Sequence, residues 1–192
     1  MSICAVVVGV LVAIAAGQPA AQSWRNTAPE TFRANGQATE GVAGVASAMT
    51  FQVDAYTPDA ERERLLKALA SGGSAAFVAA LKESKPVGYI QTGSRKVVIR
   101  FARNVPMPGG GRRIVLVADA PVYFVGGGAI DAKPTEGFDV AAVQFEVDSV
   151  GLGAGTMAGA AKVKAGGPTG VEIEDYGKDP IKLVTVTRAV VK

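Results

Sequence analysis

Alternation between apolar and polar residues is the strongest signal in this chain. Met49, Phe51, Val53 and Ala55 alternate with Thr50, Gln52 and Asp54, the period-two pattern of a strand with one buried face. Val97, Ile99 and Phe101 stand against Lys96 and Arg100, and Val143, Phe145 and Val147 against Gln144, Glu146 and Asp148. Shorter runs of the same kind predict strands over Thr31–Ala38, Val87–Thr92, Thr156–Lys164, Gly170–Tyr176 and Ile181–Val191. Arg112–Ala118 is apolar on both faces. With Arg95–Arg103 and the turn-rich NVPMPGGG between them, it makes the clearest hairpin of the chain.

The period changes once. Thr57-Pro58-Asp59 supplies a capping hydroxyl, a proline suited to a first helical turn and, with Glu61, acids that complement the helix dipole. Leu65, Leu66 and Leu69 form an apolar stripe, and Glu63 and Lys67 lie at i,i+4. Ser71-Gly72-Gly73 predicts a stop, Ser74 a second start, and Phe77, Val78 and Leu81 a second stripe ended by Pro86. Glu61 and Arg64 fall on the solvated side of this pair. Strands joined by short turns pair antiparallel, because parallel neighbours need crossovers of a dozen residues or more. The predicted fold class is therefore α+β: a mainly antiparallel, twisted sheet or open barrel with an inserted pair of short helices over one face or end.

The first residues belong to another pattern. MSICAVVVGVLVAIAAGQPAAQ carries no charged side chain, and its apolar run from Ile3 to Gly17 is short for a membrane span but right for a secretory signal peptide. Residues 1–22 are read as that signal, with cleavage after Gly17 or Gln22, residues 23–30 as a flexible leader, and 31–192 as a single domain. The usual opening Lys or Arg is missing, and an uncleaved anchor is the alternative. Cys4 opens the apolar run, where lipoprotein processing does not occur.

Composition narrows the chemistry. The 192 residues contain one cysteine and no histidine, so the domain after cleavage offers no thiolate, no imidazole base and no zinc, copper or haem ligand of those types. Disulfide stapling is not used. The net charge of +3 comes from dispersed basic groups, and aromatic residues are scarce, which argues against nucleic-acid binding. Glu172-Ile173-Glu174-Asp175-Tyr176…Asp179 is the densest acidic cluster. Glu174, Asp175 and Asp179 are the candidate oxygen ligands for calcium, against the reading of Glu172 and Glu174 as the solvent face of a strand. Asp54, Asp119, Asp139 and Asp148 are available for a carboxylate pair, and a carboxylate- or lysine-based hydrolase would draw its acid from Asp139, Asp119 or Glu174. The glycine clusters at 109–111, 126–128 and 151–155 lack any phosphate-loop pattern and read as turns and bulges. The stretch GGGAIDAKPTEG has the composition of a disordered loop. No cofactor is expected.

Four blocks in order, YTPDAERERLLKALASGG, PVGYIQT, PMPGGGRRIVLVADAPVYF and VEIEDYGKDPIKLVTV, make the region from Phe32 to Arg188 resemble a family of secreted bacterial proteins of unknown function. The resemblance implies export and carries no activity. Val125-Gly126-Gly127-Gly128, Gly137-Phe138 and Gly153-Ala154-Gly155-Thr156 depart from the family's Trp-Glu, Pro-Phe and Gly-Glu-Gly-Lys features. The function expected from all this is a non-enzymatic periplasmic or secreted domain. It binds an unknown ligand or envelope partner through the sheet surface or barrel mouth, with no nucleic acid and no membrane span once the signal is removed. The alternative is the hydrolase acting outside the cytoplasm.

Overall fold

A computed structural model describes residues 28–37, 46–123, 135–177 and 180–189. The signal segment, most of the 126–137 loop and Asp179 lie outside them. Nine strands run in chain order: β1 (Glu30–Gln37), β2 (Ala46–Val53), β3 (Gly88–Thr92), β4 (Arg95–Pro106), β5 (Arg112–Ala118), β6 (Val140–Val147), β7 (Leu152–Gly166), β8 (Gly170–Asp175) and β9 (Ile181–Ala189), with α1 (Asp59–Glu83) between β2 and β3. All pairings are antiparallel.

The sheet is closed, where the alternation predicted a twisted sheet or an open barrel. Neighbours in sequence are neighbours in space from β1 to β7, β9 pairs with β7, and β9 returns to β1 through Thr31↔Ala189 and Gln37↔Lys182. β8 and β9 lie along the same edge of β7, β9 against Leu152–Met157 and β8 against Lys162–Gly166. They are one interrupted strand, so the barrel is an eight-stranded meander. Eight strands leave an interior just wide enough for side chains to fill. Phe32, Phe51 and Phe145 fill it here, with ring centroids 4.9 Å apart for Phe32 and Phe145 and 5.7 Å for Phe51 and Phe145.

The glycines read as turns and bulges also permit a close approach. Gly151 ends the tight turn between β6 and β7, and the register against β9 shifts between Gly153 and Gly155. A Cβ on Gly155 would sit 2.2 Å from the Gln144 carbonyl oxygen and 2.4 Å from Phe145 Cβ, so β7 reaches β6 only without a side chain there.

The predicted pair of helices is a single helical element, interrupted at Gly73 (φ 65°, ψ −158°). Ser84 donates a hydrogen bond of 2.5 Å to Glu61, 23 positions earlier. An uninterrupted helix would hold those residues roughly 34 Å apart. The element therefore doubles back at Gly73, the position predicted as a stop. Its 25 residues are long and apolar enough in composition to cross a membrane, but the reversal leaves two arms that each fall short of the ~30 Å hydrocarbon thickness. Leu65, Leu69, Phe77, Val78 and Leu81 are buried against Phe101, Val115, Val140, Ala158 and Val171 on the outside of β4 to β8. The wall made by β9, β1, β2 and β3 contributes nothing to that cluster.

Candidate functional site

Three places gather polar groups, and each follows from the barrel's geometry. The first is the barrel end where β1 begins and β2, β4 and β9 finish. Glu30 is 2% exposed, and it accepts bidentate hydrogen bonds from Arg112 (2.8 and 2.5 Å), one from Arg188 (2.8 Å) and one from the Tyr56 hydroxyl. Burial pushes the Glu30 carboxyl up. The hydrogen bonds from Arg112 and Tyr56 and the charges of Arg112 and Arg188 outweigh it and hold the group below the usual carboxylate range. Burial and the Glu30 charge push the Tyr56 phenol far above its ordinary value. An ionised acid and a neutral phenol, both saturated with partners, make a plug for the barrel end and not an acid–base pair. The Asn104 Nδ2, buried nearby on β4, has no hydrogen-bond partner among the described residues.

The second is a cleft of about 480 Å³ where the two arms of α1 meet the barrel, lined by Thr57, Glu61, Arg64, Ser84, Lys85 and Arg100 among others. Sequence reasoning placed Glu61 and Arg64 on a solvated side. Arg64 is exposed and Glu61 half-buried, yet the two are also bonded: Arg64 donates to Glu61 (2.9 and 2.7 Å), to the Ala80 carbonyl (3.0 Å) and to the Ser84 hydroxyl (3.0 Å). The hydrogen bonds from Arg64 and Ser84 hold Glu61 down at about 2. Arg100 donates to Asp119 (2.5 Å) and to the Ser84 carbonyl. Arg64, which also pairs with Glu83, and Arg100 thus tie three carboxylates together around the cleft and clasp the arms to β4.

The third is the open wall. The register sets Thr187, Arg33, Thr50, Gln91 and Lys96 in one row across β9, β1, β2, β3 and β4, and Ala189, Thr31, Gln52, Tyr89 and Val98 in the next. Asn35, Gln37 and Lys182 continue the face toward the other barrel end. Alternation creates it, because Phe32, Met49, Phe51, Ile90, Leu183 and Val186 point inward from the intervening positions. Thr31 donates to Gln52 (2.5 Å), Gln52 to Asp54 (3.0 Å) and Gln91 to the Gly93 carbonyl (3.0 Å). The four strands of this wall contain a single carboxylate, Glu30, and it is turned into the barrel end. Arg33, Lys96 and Lys182 are exposed and make no ion pair among the described residues.

The register sets the acids singled out from the sequence at one end of neighbouring strands: Asp119 follows β5 and Asp139 precedes β6 where Ala118 faces Ala141, and Asp175 faces Lys162, next to the Ala161 partner of Val140. Glu174 and Asp175 are exposed at the end of β8, where Asp175 accepts a hydrogen bond from the Gly177 N–H (2.9 Å). No group of three metal-ligating side chains occurs among the described residues. Asp119 is engaged by Arg100, and Asp139 sits just before β6. Sequence reasoning missed the open wall. Arg33, Asn35 and Gln37 lay on the weakest predicted strand, and the telling signal was the lack of acids at outward positions. Comparison with protein-family models, curated proteins and solved structures finds no match for this chain.

Proposed function

We propose that this chain is an exported, non-catalytic binding domain that engages a ligand or envelope partner through the outer face of β9-β1-β2-β3. One observation carries the reading. α1 buries its stripe on half of the barrel wall, and among the described residues the half left open is polar, basic and without an outward carboxylate. The interior is packed with aromatic and aliphatic side chains, which favours the sheet surface over the barrel mouth.

The uncharged first 22 residues support export, and cleavage between Gly17 and Ser23 would spare β1, which begins at Glu30. Of the acids named for the hydrolase, Asp119 is held in an ion pair with Arg100 and Glu174 is exposed at the end of β8, which favours the binding reading.

Covalent lysine labelling tests the proposal. In the envelope or secreted fraction of the native host, Lys96 and Lys182 are expected to label more slowly than in purified protein. Lys67 and Lys82 on α1 should be unchanged. Equal labelling of all four in both preparations would reject the face as the binding surface. N-terminal sequencing of the same material checks export, and an intact Met1 in the cytoplasmic fraction would remove that part.

A further inference from the structure

Building on the binding-face reading, we infer that the partner is an extended, carboxylate-bearing polysaccharide lying across the strands of the open wall. Most arginines elsewhere on the molecule are already engaged. Arg64, Arg100, Arg103, Arg112, Arg113 and Arg188, all off the open face or at its margin, each have a carboxylate partner. Arg33, Lys96 and Lys182, spread over that face, have none among the described residues. Lys67, Lys82 and Lys164 on the other half also have none, but acids stand on the same helix or opposite on the next strand there, whereas β9, β1, β2 and β3 carry only the buried Glu30. Asp54 lies one residue beyond β2 and is held by Gln52. Surface cations with no acid paired to them or between them among the described residues attract an anion, and the attraction weakens with salt.

Spacing then selects a polymer. Arg33 and Lys96 lie in the same row three strand steps apart, roughly 14 Å at the usual interstrand distance. Lys182 lies opposite Gln37, four positions along β1 from Arg33, or about 13 Å further along the strands. A single carboxylate or phosphate ion spans neither gap, but a chain with repeating charges does.

The groups between the cations select the kind of polymer. Thr50 and Gln91 fill the row from Arg33 to Lys96, and Asn35 and Gln37 lie toward Lys182. Hydroxyls and primary amides donate and accept together, which matches the hydroxyl-rich ring of a sugar. Single-stranded nucleic acid needs stacking platforms. Tyr89 is the one aromatic ring on this face, and Lys96 Nζ lies 4.3 Å from its centroid. A bilayer needs protruding apolar side chains. The large exposed ones among the described residues, Val150 and Leu152, lie at the β6–β7 turn and not on this wall.

The test titrates the whole chain, as recovered from its host, with oligogalacturonate, dextran of matched length and oligo(dT), at low and high salt. A triple variant, Arg33→Gln with Lys96→Gln and Lys182→Gln, is compared with Lys67→Gln, Lys82→Gln and Lys164→Gln, which removes the same charge from the other half. Unchanged circular dichroism and unfolding midpoints confirm that both variants fold. Oligogalacturonate should bind, weaken with salt, and lose about tenfold in affinity in the face variant while changing less than about twofold in the control. Equal loss in both variants would overturn the inference by reducing it to net charge. Tighter binding of oligo(dT) would overturn it in favour of nucleic acid. Dextran binding as tightly as oligogalacturonate would overturn the need for carboxylates, and no polymer binding would overturn the polysaccharide class; either leaves the binding face intact if Lys96 and Lys182 remain protected in the host. Loss of that protection as well removes the face itself.

Discussion

Glu30 shows how much one side chain can hold. It joins β1 to β5 through Arg112 and to β9 through Arg188, with Tyr56 from beyond β2 as a third partner. Removing one member of a buried pair leaves the other charge uncompensated. Glu30→Ala is therefore expected to cost about 3–5 kcal/mol, read from the shift of the denaturant midpoint. The pH dependence follows from sign. Glu30 and Glu61 have folded pKa values below the 4.5 of an ordinary glutamate, so their contribution is complete above about pH 5 and is lost as protons bind on the way down. The unfolding midpoint should stay flat from neutrality to about pH 5 and fall between there and about pH 2, with Glu61 titrating near the bottom of that window. In Glu61→Gln the slope should be shallower. A midpoint that climbed on acidification would contradict the assignment of both groups.

At the scale of elements, α1 is held by packing rather than by its own propensity, because arms this short are marginal alone. Leu69 is 4% exposed and Phe77 is fully buried, so Leu69→Ala and Phe77→Ala should each cost about 2–5 kcal/mol, measured by chemical denaturation. A wild-type midpoint in either variant would mean the stripe is not core. Gly73 makes a complementary case. A Cβ there meets nothing within 4 Å, yet φ is 65° and ψ is −158°, a backbone region suited to glycine alone. Gly73→Ala should lose about 1–3 kcal/mol from backbone strain without any steric contact. All nine strands were legible as local alternation or apolar runs, because period two is written in adjacent residues. The reversal at Gly73 was legible as Ser71-Gly72-Gly73. The interrupted strand was not, since nothing local says that β8 and β9 share an edge of β7. The Glu61–Arg64–Ser84 clasp was also hidden, because it depends on the angle at which the arms return.

For the whole molecule, closure is the property that no segment encodes. β1 meets β9 only because eight strands of suitable stagger bring the last edge round to the first. That same closure divides the wall into a helix-covered half and an open half, and so creates the candidate site. A chain lacking 181–189 would leave β1 and the first half of β7 as unpaired edges, exposing templates for intermolecular pairing. Such a truncation should aggregate when the full chain stays monodisperse in size-exclusion chromatography. If it remained a folded monomer, the barrel would not depend on that seam.

The Glu30–Arg188 contact spans 158 positions, and this separation orders events in time. Any chain is produced and delivered from its N-terminus, so β1 emerges first and its far neighbour last. The run β3 to β7 can zip through near neighbours while the rest is still arriving, since local contacts cost less loop entropy. The seam must wait. Until β9 arrives, β1 presents an open ladder on one side and carries Glu30 with only part of its shell. A holding factor that acts on nascent or translocating chains would meet this molecule at that edge, and the slowest folding step should be the joining of its two ends.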